Sequence, residues 1–223
     1  MSATPQTPAP GAGAAPTPGG FADPALTWNS RFAAPGYLFG TAPNGWLQAH
    51  AQVWTPPARV LCVADGEGRN SVWLAARGLQ VDAFDIAEAG VAKARQLAAD
   101  QGVHVHYSVA DCDSWAWPEA AYDGVAAIFV QFADPALRDR LFARMVRCLR
   151  PGGTLLLQGY TPRQLDYRTG GPPKLSHLYT EPMLREAFAA LQIITLQDYE
   201  ADLAEGTGHR GRSALIGMVA RRP

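Results

Sequence analysis

The run Val60-Leu61-Cys62-Val63-Ala64-Asp65-Gly66-Glu67-Gly68-Arg69-Asn70 decides the fold. Residues 59–63 are apolar over the length of a short buried parallel strand, and the run breaks at once into a small, acidic, glycine-bearing turn. A helix is expected over 69–76, carrying Val72, Trp73, Leu74 and Ala75 and stopped by Gly78. A second strand, 80–84, ends at Asp85, about twenty residues past the turn. Glycine lets the backbone approach a ligand closely, and a carboxylate at the end of the second strand grips two vicinal hydroxyls. The spacing predicts a pocket for an adenosine-bearing cofactor.

The same rhythm continues downstream. An amphipathic helix is expected over 87–100 through Val91, Ala94 and Leu97, then a third strand over 103–108 ending near Ala110-Asp111. A very apolar fourth strand spans 122–129 and reads as central. A long helix over 135–149 is stopped by Pro151-Gly152-Gly153, and the fifth strand spans 154–158. After a helix near 181–190 the pattern changes: strands at 192–201 and 213–221 follow one another through a glycine-rich link, 205–211, and must be antiparallel. This closing hairpin departs from the six parallel strands of a dinucleotide dehydrogenase. Upstream, 26–54 is rich in aromatics and reads as one or two short helices around the loop 36–44.

Composition narrows the function. The chain has 223 residues, enough for one domain with a proper core, and is 48% apolar. No unbroken apolar run approaches the ~18–20 residues of a membrane span. The net charge is −1 and the arginines are scattered, which argues against nucleic acid as a main partner. Cys62, Cys112 and Cys148 show no CxxC spacing, so a reduced, cytoplasmic setting is expected, without a disulfide framework or structural zinc. Residues 1–20 are Ala, Pro, Thr and Gly in low-complexity order, lack the pattern of a signal peptide, and read as a disordered tail. The expected organisation is this tail followed by a single domain, 21–223, with an N-terminal lid at about 26–56. Oligomeric state is not legible.

Four segments carry a resemblance to a known family: Trp28-Asn29-Ser30-Arg31-Phe32 with Tyr37-Leu38-Phe39-Gly40-Thr41-Ala42-Pro43-Asn44; the turn through Gly68-Arg69-Asn70; Leu149-Arg150-Pro151-Gly152-Gly153; and Glu205-Gly206-Thr207-Gly208-His209-Arg210-Gly211. From Trp28 to the C-terminus the chain resembles the class I S-adenosylmethionine-dependent methyltransferases, in particular small bacterial ones related to tellurite-resistance and thiopurine methyltransferases. The resemblance implies an α/β fold, a Rossmann-like seven-stranded sheet of order 3-2-1-4-5-7-6 with strand 7 antiparallel and helices on both faces. It also implies S-adenosylmethionine as cofactor, S-adenosylhomocysteine as product, and a small-molecule acceptor such as a thiol or chalcogen oxyanion. Two positions depart from the family pattern. Cys62 replaces the usual acid in the first strand and Ala64 the first glycine of GxGxG, with Asp65 and Glu67 the nearest substitute acids.

On this resemblance the backbone of Ala64, Asp65 and Gly66 meets the methionine end, and Arg69 either pairs its carboxylate or stands as a solvated helix start. Asn70 pins the turn locally. Asp85 takes the ribose hydroxyls, the competing role being a helix cap. Ile86 faces the adenine. Asp111, between Ala110 and Cys112, accepts the adenine amino group or caps its own loop. Trp115 and Trp117 pack. Phe129 and Gln131 end the fourth strand beside the reacting methyl; Tyr37 and Phe39 belong to the lid or fill the core, and for Trp28 core filling is the better reading. His209, with Arg210 and Arg212, holds an anionic acceptor or moves its proton. Tyr160 and His177 are weaker acceptor-side candidates, with Arg163 and Tyr167 on the same rim. His104 and His106 alternate in a strand without further ligands, so no metal site is expected. Two other classes compete: a nicotinamide-dependent oxidoreductase, and a cofactor-binding protein without catalysis.

Overall fold

Parallel pairing begins where the sequence is most apolar. β1 (Arg59–Val63) lies between β2 (Gln80–Asp85) and β4 (Tyr122–Ile128), both parallel to it, in a computed structural model that describes residues 23–223. The expected tail, residues 1–20, lies outside the described residues. With β3 (His106–Val109), β5 (Leu149–Tyr160), β6 (Gln192–Glu205) and β7 (His209–Arg221), the sheet has seven strands in the order β3-β2-β1-β4-β5-β7-β6. β7 runs antiparallel to both β5 and β6.

Strand alternation explains the two layers of core. Leu61 and Val63 of β1 join a cluster with Phe142, Met145, Leu184 and Phe188, from α5 (Pro135–Cys148) and the region of α7 (Glu181–Ala187). Val60 and Cys62 point the other way, toward Leu47 of α2 (Gly45–His50), Leu74 of α3 (Arg69–Ala76) and the indoles of Trp46 and Trp54. Those indoles lie so close to the sheet that a Cβ on Gly217 would fall 2.4 Å from Trp46, and one on Gly124 2.3 Å from Trp54. Helix starts follow their caps. Asp134 accepts the Leu137 N–H at 2.9 Å ahead of Pro135, and Asn44 accepts the Leu47 N–H at 3.1 Å.

The ends of elements differ from the sequence expectation at four places. β3 starts only at His106, so His104 lies ahead of it, its ring edge-on to His106 at 4.6 Å. β5 begins at Leu149, because Pro151-Gly152-Gly153 forms a bulge against β4 rather than a break. The segment after Tyr160, to which the sequence assigned no element, holds a short helix, α6 (Gln164–Tyr167), and a single 3-10 turn (Leu175–His177). Finally the β6–β7 ladder runs out to Glu205 opposite His209, leaving 206–208 as the turn. The tip is fastened rather than free: the N–H groups of Thr207 and Gly208 donate to the Leu38 carbonyl at 2.9 and 3.0 Å. The three cysteines are buried thiols, and burial pushes Cys62 well up. No helix among the described residues is long and apolar enough to cross a membrane.

Candidate functional site

A cavity of about 730 Å³ opens at the carboxyl ends of β1, β2 and β4, where open α/β sheets receive ligands. Its floor is the turn after β1, in which Ala64, Gly66 and Gly68 all have positive φ (49°, 60° and 89°). A Cβ on Gly68 would lie 2.7 Å from that of Ala94 in α4 (Glu88–Asp100), so glycine here is required by close helix packing. Ala64 holds the left-handed conformation without being glycine, at a cost of about 1–2 kcal/mol. Phe129, at the end of β4, does the same with φ 57°. Both strained residues line the cavity. Helix α1 (Pro24–Phe32) covers the turn: Phe32 would meet a Cβ on Gly66 at 3.1 Å, and Asn29 accepts the Ala89 N–H at 2.9 Å.

Five aspartates among the described residues line the cavity, and three of them, Asp65, Asp85 and Asp111, are each in a different state. Asp85 is buried, its two carboxylate oxygens accepting the N–H groups of Gly66 at 2.9 Å and Ala87 at 2.8 Å. Burial raises its pKa while these donors oppose the shift. Asp65 carries no ion pair among the described residues; burial, reinforced by nearby Asp85, pushes it up to about 7 against the hydrogen bond from the Ser71 hydroxyl. Asp111 accepts from the N–H groups of Asp113 (2.7 Å) and Ser114 (2.8 Å) and from the Ser114 hydroxyl, which lower its pKa. Its loop-capping role is therefore real, and the same carboxylate borders the cavity beside Ala110, Cys112 and Ile86.

Glu205 is the residue that sequence reasoning missed. Its carboxylate, at the end of β6, pairs with Arg69 at 2.7 Å, accepts from Asn44 Nδ2 at 2.9 Å, and meets His209 Nδ1 at 3.4 Å. The signal lay in the hairpin register, which sets Glu205 opposite His209. Arg69 lines the cavity but spends its guanidinium on Glu205 and the Phe39 carbonyl. Asn70, read as a local pin, instead accepts the N–H of Asn44 at 2.9 Å. Glu67 stays out of the cavity lining: it accepts the Leu38 N–H at 2.7 Å and pairs with Lys93 at 2.9 Å, holding the N-terminal segment down. The cavity-lining guanidinium without a carboxylate partner among the described residues is that of Arg31, 4.9 Å above the Trp28 ring.

At the other end, rings converge on His209: Phe129 at 4.3 Å, Phe39 at 4.4 Å and Tyr160 at 5.7 Å between centroids. Burial lowers the His209 pKa, with Glu205 opposing and Arg69 and Arg31 assisting. The Tyr160 hydroxyl is buried without a hydrogen-bond partner among the described residues. Gln131 and His177 also line the cavity, yet both amide hydrogens of Gln131 are taken, by the carbonyls of Tyr160 (2.9 Å) and His177 (3.0 Å). Three expected residues do not arrive. Because His209 sits in a strand and not in a turn, Arg210 and Arg212 fall on the opposite face, exposed, and Arg212 pairs with Glu200 at 2.8 Å. Tyr37 packs on α4 beneath Lys93, 5.7 Å from its ring, outside the cavity lining.

A family profile described as "Methyltransferase domain" matches residues 60–153. The ubiquinone biosynthesis O-methyltransferase of Xanthomonas campestris pv. campestris is 31% identical over 177 residues, which span 73% of this chain and 73% of the relative. The chain belongs to the class I S-adenosylmethionine-dependent methyltransferases. An uncharacterized protein of Mycobacterium tuberculosis is 33% identical over 123 residues, 54% of this chain, and the match spans only 43% of that relative's length. Two crystal structures share the fold at low identity. TehB from Haemophilus influenzae superposes with a TM-score of 0.67 at 21% identity, covering 82% of this chain and 63% of TehB. The N-methyltransferase NodS from Bradyrhizobium japonicum, in complex with S-adenosyl-L-homocysteine, gives 0.66 at 14%, covering 89% and 98%. The order β3-β2-β1-β4-β5-β7-β6 is the one that the resemblance implied.

Proposed function

We propose that the protein is an enzyme that binds S-adenosylmethionine in this cavity and transfers its methyl group, by direct in-line displacement, to a small-molecule acceptor. The observation that carries the reading is Asp85: a buried, acceptor-only carboxylate at the end of β2, oriented by the backbone N–H groups of Gly66 and Ala87 with that of Ile86 assisting. That is the donor-poor, acceptor-rich arrangement that two ribose hydroxyls fit. The rest of the lining suits the same cofactor, with Ile86 and Ala110 for the adenine, Asp111 for its amino group, and Asp65 for the ammonium of the methionine end. Arg31, rather than Arg69, answers the methionine carboxylate.

The bound cofactor supplies a sulfonium leaving group, so the protein needs no covalent nucleophile. Phe39, Phe129 and Tyr160 wall the acceptor end and exclude water. Holding the nucleophile in line supplies up to about 7–11 kcal/mol of barrier lowering. His209, neutral and oriented by Glu205, takes the acceptor's proton. α1 and the 37–44 loop form the lid over a catalytic unit that comprises residues 21–223, working in the cytoplasm. A soft acceptor, a thiol or a chalcogen oxyanion, needs little help from His209; a hydroxyl or amine needs all of it. Calorimetry with S-adenosylhomocysteine and, separately, NADH tests the cofactor: micromolar binding of the first alone is expected, and binding of NADH instead would move the protein to the oxidoreductases. Asp85→Ala should weaken that binding by about 1–3 kcal/mol, the loss of hydrogen bonds at a buried acceptor. A labelled-methyl screen over thiols, phenols, amines and selenium and tellurium oxyanions then identifies the acceptor.

A further inference from the structure

Asp65 ends a line of hydroxyl groups that reaches back beneath the turn after β1. Its carboxylate accepts the Ser71 hydroxyl, with the Ser71 N–H assisting. Ser71, the third residue of α3 and fully buried, meets a second hydroxyl at 2.8 Å, that of Tyr107 in β3. A serine hydroxyl has one hydrogen. When that hydrogen goes to Asp65, the tyrosine's own hydrogen fills the contact between the two hydroxyls, and the described residues offer it no other acceptor. Burial drives the Tyr107 phenol far up, so it keeps this hydrogen. With Asp65 ionised the donors therefore run one way, Tyr107 to Ser71 to Asp65, and each strengthens the next. The Gly68 carbonyl, 3.2 Å from the Ser71 hydroxyl, is the acceptor left for it once Asp65 is protonated. Tyr107 comes from the edge strand, two places from β1, and a Cβ on Gly68 would crowd its phenolic oxygen at 3.0 Å.

We infer that Ser71 and Tyr107 are positioning residues that hold Asp65 as an ionised acceptor for the ammonium group of the cofactor's methionine end. The inference rests on the S-adenosylmethionine reading above and adds two residues that lie outside the cavity lining. Cys62 stands in β1 where an acid is usual, and of the two substitute acids Glu67 is spent on Lys93 and the Leu38 N–H. That leaves Asp65 to meet the ammonium. The groups facing it come from four elements. Asp85 at the end of β2 resists its charge and Arg69 of α3 favours it, while the Cys62 thiol of β1 and the Tyr107 phenol of β3 are neutral. Arg69 is itself paired with Glu205. The Ser71 hydroxyl is therefore the main counterweight to burial at Asp65, and Tyr107 acts through it.

The test is calorimetry of the full chain between about pH 6 and 9 with two ligands. One is S-adenosylhomocysteine; the other is 5′-methylthioadenosine, a nucleoside thioether without the amino-acid end. Wild-type affinity for S-adenosylhomocysteine should rise with pH to a plateau. Ser71→Ala should move the midpoint up by about one pH unit, so that binding is about tenfold weaker at pH 6 and converges on the wild type by about pH 9. Tyr107→Phe, which keeps the ring and loses only the hydroxyl, should move the midpoint the same way by less. Affinity for 5′-methylthioadenosine should hold in both variants. Equal weakening at every pH, or of both ligands alike, would reduce Ser71 and Tyr107 to structural roles and overturn the inference, as would midpoints that stay at the wild-type value. If Ser71→Ala does not fold, the Tyr107→Phe midpoint decides. Wild-type binding that ignores pH would also overturn the inference and leave the S-adenosylmethionine reading standing. Failure of the wild type to bind either ligand would strike that reading and the inference with it.

Discussion

Arg69 and Glu205 stand 136 positions apart in the chain and meet at 2.7 Å, with side chains 7% and 13% exposed. The pair ties the first residue of α3 to the end of β6, so the turn after β1 and the β6–β7 hairpin share one electrostatic joint. Burial alone would raise Glu205, but the hydrogen bond from His209 and the Arg69 guanidinium outweigh it and hold the carboxyl at about 2. Removing one partner of such a pair strands the other, and Glu205→Gln should cost about 3–5 kcal/mol in urea unfolding. The sign in pH follows from the lowered pKa. The contribution is complete above the ordinary glutamate value, 4.5, and is lost as pH falls from there toward about 2. Wild-type stability should therefore drop through that window more steeply than that of Glu205→Gln, and parallel curves would refute the assignment.

The strength of Asp65's perturbation makes a second prediction. With burial pushing this carboxyl up to about 7, the free protein holds a proton there at pH 6. An arriving ammonium from the methionine end favours the ionised form and expels that proton. Cofactor binding at pH 6 should release protons, measurable as a dependence of the calorimetric heat on buffer ionisation enthalpy, and affinity should weaken by up to about tenfold per pH unit below 7. Asp65→Asn should abolish both effects. A heat independent of buffer in the wild type would place the ammonium elsewhere.

How much of this was legible beforehand divides along a physical line. β1 and α3 fall where apolar run, turn and helix stop placed them, because a buried central strand is fully specified by its own residues. Asp85 and the closing hairpin were visible for the same reason: spacing along the chain sets them. Glu205 was not, because its role comes from a cross-strand partner and from Arg69, neither of which lies near it in sequence. The grouping of His209 with Arg210 and Arg212 failed on one point of local structure. Glycine-rich 205–211 reads as a turn, yet the Leu38 carbonyl caps the tip and lets the ladder extend to His209. Alternation then sends both arginines outward.

Ala64 offers a test of backbone strain in the turn after β1. Its φ of 49° is a left-handed value that glycine adopts freely, so Ala64→Gly should be neutral or stabilise by up to about 1 kcal/mol, the relief offset by the entropy of a more flexible unfolded chain. Ala64→Val should destabilise by at least about 1–3 kcal/mol, since a β-branched residue tolerates this conformation least. Thermal unfolding of the two variants measures the difference. A valine variant as stable as the wild type would mean that the turn relaxes out of the left-handed region.

The pH profile of turnover distinguishes a base from a bystander at His209. Burial lowers its pKa below the ordinary 6.5, so kcat should rise with pH to a plateau with its half-point below 6.5, as His209 loses its proton and becomes competent to accept one. Glu205 raises that pKa through its hydrogen bond and charge. Glu205→Gln should therefore move the half-point further down while lowering the plateau, because the weaker base takes the acceptor's proton less readily. His209→Ala should depress turnover by on the order of 10²–10⁴-fold, the usual worth of a positioned proton acceptor, with the affinity for S-adenosylhomocysteine retained. A structural role alone would lower kcat and cofactor affinity together and leave the half-point where it was. A half-point unmoved by Glu205→Gln would detach the carboxylate from the proton transfer even if the variant were less stable.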